Sequence, residues 1–229
     1  MREIVLDTET TGLDPLEGHR IIEIGCVELF DHMPTGKTYQ VYLNPERSVS
    51  ESERVHGITD AFLANKPLFV HVVDELIEFL GDDAPLVMHN AGFDLKFLNH
   101  EFQRALRPPI PFARAIDTIE IAKTKIPGAR YSLDELCRRF GVDLSSRAKH
   151  GALLDAQLTA RVYLELVGGR QTRLKLAPLD IPGRIAASEI VVPRLRPEPL
   201  PPRIDAEQAA MHATFIAAEL GAEAIWNWS

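Results

Sequence analysis

Ile4-Val5-Leu6-Asp7-Thr8-Glu9-Thr10-Thr11-Gly12-Leu13 runs from an apolar triplet straight into two acids. The triplet predicts a short buried strand that ends on Asp7. Side chains two apart on a strand share a face, so Asp7 and Glu9 are expected side by side. Two carboxylates placed this way repel unless a cation sits between them. An all-oxygen donor set selects a hard divalent cation, Mg²⁺ or Mn²⁺. Acids with this spacing also decorate solvated strand ends, so the pair gains its weight from its surroundings. Small hydroxyl residues and Gly12 follow it and leave room for a ligand close to the backbone.

Working outward, two further segments place acids at element boundaries. His89-Asn90-Ala91-Gly92-Phe93-Asp94 follows an expected buried strand, Pro85 to Met88, and opens a helix over Phe93 to Ala105. Asp94 then falls in the first turn, where the helix dipole favours negative charge. His150-Gly151-Ala152-Leu153-Leu154-Asp155 introduces the helix expected over Leu153 to Val167, with Asp155 just inside it. Helix-start acids and surface histidines are common one at a time. Four carboxylates and one histidine, each at a strand end or helix start, form a set.

The remaining pattern up to about residue 168 alternates. Ile22 to Phe30 and Thr38 to Tyr42 read as strands. Leu68 to Leu80 carries apolar residues at helical spacing, and Ser132 with Glu135 has a capping-box pattern. The order of elements predicts a mixed α/β sheet. The chain has 229 residues, 45% hydrophobic and 25% charged, which suits a soluble globular protein with a substantial core. No apolar run reaches the roughly 20 residues of a membrane-spanning helix. Cys26 and Cys137 lie far apart and make no metal or redox spacing, so a reduced cytoplasm is the expected compartment. A net charge of -8 argues against a broad basic face coating nucleic acid. It leaves room for an enzyme that grips a strand end through cations and relies on a partner to stay there.

Composition changes after Gly168-Gly169. Pro178, Pro182, Pro193, Pro197, Pro199, Pro201 and Pro202 are seven of the sixteen prolines, and they mark an extended linker. Structure is expected to resume at Asp205, an N-cap with Gln208 three residues on. Phe215, Trp226 and Trp228 then offer more apolar surface than a segment of this length buries alone. They are candidate anchors for a partner, with folding back on the main domain as the alternative.

In this order, the D-x-E, N-x-x-F-D and H-x-x-x-x-D blocks resemble the three exonuclease motifs of the DEDDh-type 3′–5′ exonucleases of the DnaQ family. The resemblance covers residues 1 to about 168, and no catalytic position departs from it. It implies a ribonuclease H-like fold, a mixed five-stranded sheet flanked by helices. It implies Asp7, Glu9, Asp94 and Asp155 as catalytic carboxylates holding two divalent cations, Mg²⁺ or Mn²⁺, with His150 as general base. Glu51-Ser52-Glu53-Arg54-Val55-His56-Gly57-Ile58-Thr59 resembles the family's contact region for the terminal nucleotide. Glu51 and His56 are therefore implied to bind substrate together with Asp7, Glu9 and Asp155.

Within the family, the linker and tail are similar to those of subunits that proofread for a bacterial replicative polymerase. That likeness implies an exonuclease domain at 1–176, a flexible linker at 177–203 and a short C-terminal helical segment at 204–229. The implied partners are a DNA 3′ end, the alpha (polymerase) subunit of DNA polymerase III, a theta-like subunit and the sliding clamp. The polymerase contacts would be Phe215, Trp226 and Trp228. Gln171, Leu174 and Leu176 resemble a clamp-binding peptide, a frayed domain end being the alternative. The expected activity is removal of mismatched 3′-terminal deoxynucleotides. An RNA 3′–5′ exonuclease and a non-catalytic interaction module of the replication machinery remain as alternatives.

Overall fold

β1, Arg2–Thr10, lies at the centre of the sheet, and its apolar triplet explains why. Ile4, Val5 and Leu6 are fully buried, which requires cover on both faces. The computed structural model describes residues 1–145, 150–168 and 205–220. β2 (Ile21–Phe30) and β3 (Met33–Tyr42) pair antiparallel on one side of β1. β4 (Leu86–Met88) and β5 (Ala115–Asp117) pair parallel on the other. The order is β3-β2-β1-β4-β5. The fold is therefore the mixed five-stranded sheet with flanking helices expected of a DEDDh exonuclease.

β1 continues past Asp7 to Thr10, so the acidic pair lies within the strand rather than after it. β2 is long enough to pair the extension, with a bulge between Glu9 and Thr10. β3 also begins earlier than its apolar residues suggest. Asp31 and His32 adopt positive φ and form the two-residue turn that twisted hairpins favour. Glu3 accepts from His32 N at 3.2 Å and faces its Nδ1 at 2.8 Å, which ties the turn to β1.

The faces of β1 divide by parity. Ile4 and Leu6 face one core layer with α3 (Phe69–Leu80) and α4 (Ala91–Arg104). Val5 faces a second layer with Ala156, Ala160 and Tyr163 of α7 (Ala152–Val167). Two short turns, α1 (Glu53–His56) and α2 (Asp60–Leu63), lie between β3 and α3. α5 (Thr118–Lys125) and α6 (Leu133–Phe140) supply Ala122, Leu133 and Leu136 to a core that covers α7's outer side. Ser132 caps α6 by accepting from Glu135 N at 3.4 Å. The Glu135 carboxylate receives Arg138 instead of closing the box, because the ion pair satisfies it one turn further on.

β2 approaches α7 at Gly25, which pairs with Asp7 across the sheet. A Cβ at Gly25 would lie 2.1 Å from Leu153 N and 2.3 Å from the Ala152 carbonyl carbon. The missing side chain therefore lets the first turn of α7 rest directly on the strand.

Contacts divide the chain into two units, Met1–Lys175 and Leu176–Ser229. In the second, α8 (Ala206–Phe215) starts with a full capping box between Asp205 and Gln208 and continues into a wider turn over Ile216–Leu220. Met211 and Phe215 are exposed on it. All of the expected linker, together with Gln171, Leu174, Leu176, Trp226 and Trp228, lies outside the described residues. No helix among the described residues is long and apolar enough to cross a membrane.

Gly25→Ala is expected to destabilise the protein by roughly 1–3 kcal/mol, because backbone rather than a flexible side-chain tip occupies the space. Urea unfolding checks this, and an unchanged midpoint would show that α7 can move away freely.

Candidate active site

Asp7 and Glu9 share the parity of Val5 and so lie on the α7 face of β1. α7 brings Asp155 there in its first turn. Ligand atoms of Glu9, His150 and Asp155 all lie within 4.8 Å of one another. Asp7 stands two residues before Glu9 on the same strand face, outside that trio.

His150 Nδ1 is 3.1 Å from Asp155 Oδ2, with the histidine exposed and the carboxylate buried. An ionised carboxylate only accepts, so this contact places a proton on Nδ1 and makes Nε2 the basic atom of the neutral ring. The backbone of His150 donates to Val55 O at 3.4 Å. That bond brings α1, and with it the segment from Glu51 to Thr59, beside the catalytic candidates.

Within that segment Glu51 is exposed and His56 is buried. His56 Nδ1 accepts from Ile58 N at 2.9 Å, which leaves its proton on Nε2, 2.8 Å from Ser52 Oγ. The ring is thereby fixed in orientation and tautomer at the edge of the site.

Asp94 approaches β1 by another route and is not part of the trio of Glu9, His150 and Asp155. It starts from α4 and meets β1 at Thr8, the residue between the two strand acids. Thr8 N and Oγ1 donate to Asp94 Oδ1 at 3.0 and 2.7 Å. Burial pushes the Asp94 carboxyl up to about 7, the two Thr8 bonds oppose that rise, and the charge of Asp117 adds to it. A buried acid whose named side-chain and strand donors are neutral gains most from a nearby cation, which would hold it ionised. Glu9, Asp155 and His150, whose ligand atoms converge among the described residues, form a donor set that could hold a divalent cation.

The hydroxyl-rich stretch does a different task from the one its sequence suggests. Thr8 anchors Asp94, Thr10 Oγ1 donates to Gly12 O at 2.6 Å, and Thr11 Oγ1 meets both His19 Nδ1 and Arg20 N. The space that Gly12 leaves is filled by the His19 ring, 2.2 Å from where a Cβ would stand. Thr8 is the functional residue that sequence reasoning missed. Its only local signal was a small hydroxyl between two acids.

Comparison with known proteins adds three findings. Residues 4–163 match the RNase T family, described as exonuclease. The chain is 43% identical over 224 residues to the DNA polymerase III subunit epsilon of Rickettsia felis, covering 96% of this chain and 97% of that protein. The subunit of the same name from Rickettsia conorii is 51% identical over 180 residues, covering 77% and 78%. Among solved structures, the nuclease domain of a DEDDh family member bound to rAMP aligns with a TM-score of 0.63 at 25% identity, covering 72% of this chain and 91% of that one.

The raised Asp94 value sets a pH dependence for the metal-free protein. A carboxyl whose folded value lies above its unfolded one favours folding in its protonated form. That contribution is complete below about pH 4 and is lost as pH rises through about 7. Asp94→Asn removes the titration. In EDTA, the variant's stability relative to the parent chain is expected to be higher at pH 8 than at pH 5, as read by denaturant unfolding. An equal difference at both pH values would show that Asp94 is ionised without cost.

Proposed function

This chain belongs to the RNase T/DnaQ family of exonucleases, and on that premise we propose that Asp7, Glu9, Asp94 and Asp155 hold two divalent cations, Mg²⁺ or Mn²⁺, beside His150 as general base. The protein is a DEDDh 3′–5′ exonuclease that proofreads DNA. The observation that carries the residue assignment is the cluster of Glu9, Asp155 and His150, with the imidazole oriented by Asp155 Oδ2.

The chain's residues divide the work. When bound, the cations supply a hydroxide nucleophile and stabilise charge on the leaving 3′ oxygen. Asp155 holds Nδ1 of His150 so that Nε2 takes the proton of the attacking water. Thr8 fixes the orientation of Asp94. Glu51 and His56, on the segment tied to His150 through Val55, meet the sugar or base of the terminal nucleotide. Asp7, Glu9 and Asp155 also face its scissile phosphate.

The reading extends to the tail. Residues 1–176 are the exonuclease domain, 177–203 a linker and 204–229 the segment that holds the polymerase (alpha) subunit of DNA polymerase III. The match to the Rickettsia felis subunit spans nearly the whole chain, tail included, and supports this plan. Phe215, exposed on α8, joins Trp226 and Trp228 as a polymerase contact. Gln171, Leu174 and Leu176 would dock on the sliding clamp, and a theta-like subunit would complete the assembly in the cytoplasm.

Asp7→Ala and Asp155→Asn are each expected to reduce hydrolysis of a mismatched DNA 3′ end by more than tenfold at saturating Mg²⁺. His150→Ala should lose roughly 10²–10⁴-fold in turnover while retaining Mn²⁺ affinity. Parallel collapse of affinity and turnover would make the histidine a ligand rather than a base. A short RNA in the same assay tests the alternative substrate, and preference for it would overturn the DNA assignment.

Removal of residues 204–229 should leave hydrolysis of short single strands unchanged and abolish co-elution with the polymerase subunit. Alanine at Gln171, Leu174 and Leu176 together should lower clamp-dependent synthesis by the complex, again without affecting the isolated nuclease. Co-elution of the truncated chain refutes the first assignment. An unchanged clamp-dependent rate refutes the second.

A further inference from the structure

Two helices deliver the aspartates, and neither N-cap residue makes a side-chain cap. Asn90 before α4 and Gly151 before α7 both lack a side-chain hydrogen bond to their own helix start. In α5 and α6, which deliver no acid to the site, Asp117 and Ser132 cap locally. For α4 and α7 the missing acceptor arrives from the sheet. Glu23 on β2 accepts from Ala152 N at 3.2 Å through Oε2, while Gln40 donates to its Oε1 at 2.8 Å. Asp117 at the end of β5 accepts from Asn90 N at 3.2 Å and Ala91 N at 3.1 Å, in addition to Ile119 N at 2.8 Å.

We propose that Glu23 and Asp117 are positioning residues of the cation centre, each fixing the start of the helix that presents a ligand aspartate, Asp155 or Asp94. The proposal rests on the reading of those two aspartates as ligands. A local serine or threonine cap would fix the helix only to the loop before it. A carboxylate from a strand fixes it to the sheet that carries the other ligands. Glu23 stands directly opposite Glu9 in the β1–β2 register, so one strand pair sets the separation of Glu9 from Asp155. Asp117 pairs with Met88 at the end of β4 and holds the bend at Asn90, whose backbone is left-handed with φ 71°.

The chemistry suits the task. Carboxylates at a helix N-terminus are favoured by the dipole, and their bonds to backbone N–H groups are charge-assisted. Glu23 is almost completely buried, so water replaces it poorly if the side chain is removed. Its position opposite Glu9 would otherwise set like charges face to face across the strands. The carboxylate of Glu23 is directed to the helix start, and that of Glu9 to His150 and Asp155.

The test uses the full chain with Glu23→Ala, Glu23→Gln, Asp117→Ala and Asp117→Asn, and Asp155→Asn as reference. Mn²⁺ affinity, kcat and KM on single-stranded DNA, and unfolding in EDTA are measured for each. The alanine variants are expected to lose about 10–100-fold in Mn²⁺ affinity or kcat, the range for residues that orient metal ligands, with KM for DNA nearly unchanged. The amide variants keep an acceptor oxygen and are expected to recover most of that loss. Alanine variants that bind Mn²⁺ and turn over like the parent chain overturn the proposal, as do amide variants as impaired as the alanine ones. An alanine variant unfolded at the assay temperature also counts against it, because the residue would then support the whole fold. Normal Mn²⁺ binding by Asp155→Asn would instead refute the ligand assignment on which the proposal stands.

Discussion

The contact between β2 and the first turn of α7 at Gly25 is the constraint on which the site depends. Strand and helix backbones meet there with no side chain between them. Asp155 lies in that same first turn of α7, and the strand acids lie on the neighbouring β1. A side chain at residue 25 would separate the proposed ligands on the two elements by more than a metal site tolerates, since such sites require placement within about 0.5 Å. Packing in the second core layer, with Ala156 and Ala160 against Val5 and Val27, continues the close approach along the helix. Small residues follow one another down that line because the helix sits so near the sheet.

Around this contact, the acids are held by bonds that do not neutralise them. Thr8 gives Asp94 two hydrogen bonds, and Gln40 and Ala152 serve Glu23. Elsewhere the protein pairs acids with cations where no chemistry is required. Arg20 grips Glu101 through two nitrogens at 2.5 and 2.8 Å, in a buried pair that fastens α4 to the entry of β2. Holding Asp94 by neutral donors leaves its buried charge uncompensated, and its raised value reflects that cost.

What the sequence made legible followed distance along the chain. The apolar triplet at Ile4, the helical spacing from Leu68 to Leu80 and the capping box at Asp205 are local signals, and each element forms where its signal lies. The acidic motifs were legible because each keeps its residues within a few positions. β5 and α5 gave little signal: a strand of three residues shows no alternation, and a charged eight-residue helix shows little apolar face. Thr8 and Glu23 were opaque for a different reason. Their partners lie 86 and 129 residues away, and nothing in a strand's periodicity announces which helix start will arrive opposite it. Gly25 could be read as a gap in an apolar strand, but what fills the gap is known only from the fold.

The bond from Tyr163 Oη to Glu3, at 2.7 Å, sets how α7 runs against β1. It ties the closing turns of α7 to the opening of β1, whereas Asp155, in the first turn of α7, lies beside Glu9 toward the far end of that strand. The two elements therefore run in opposite directions, and the strand's first residues and the helix's last share one pole. From Asp155 to the end of α7 at Val167 the axis rises roughly 18 Å. Gly168, the C-cap of α7, stands at the pole opposite Glu9 and Asp155. The last turn of α7 and the cluster of Glu9, Asp155 and His150 therefore stand about one helix length apart, toward opposite ends of the same strand.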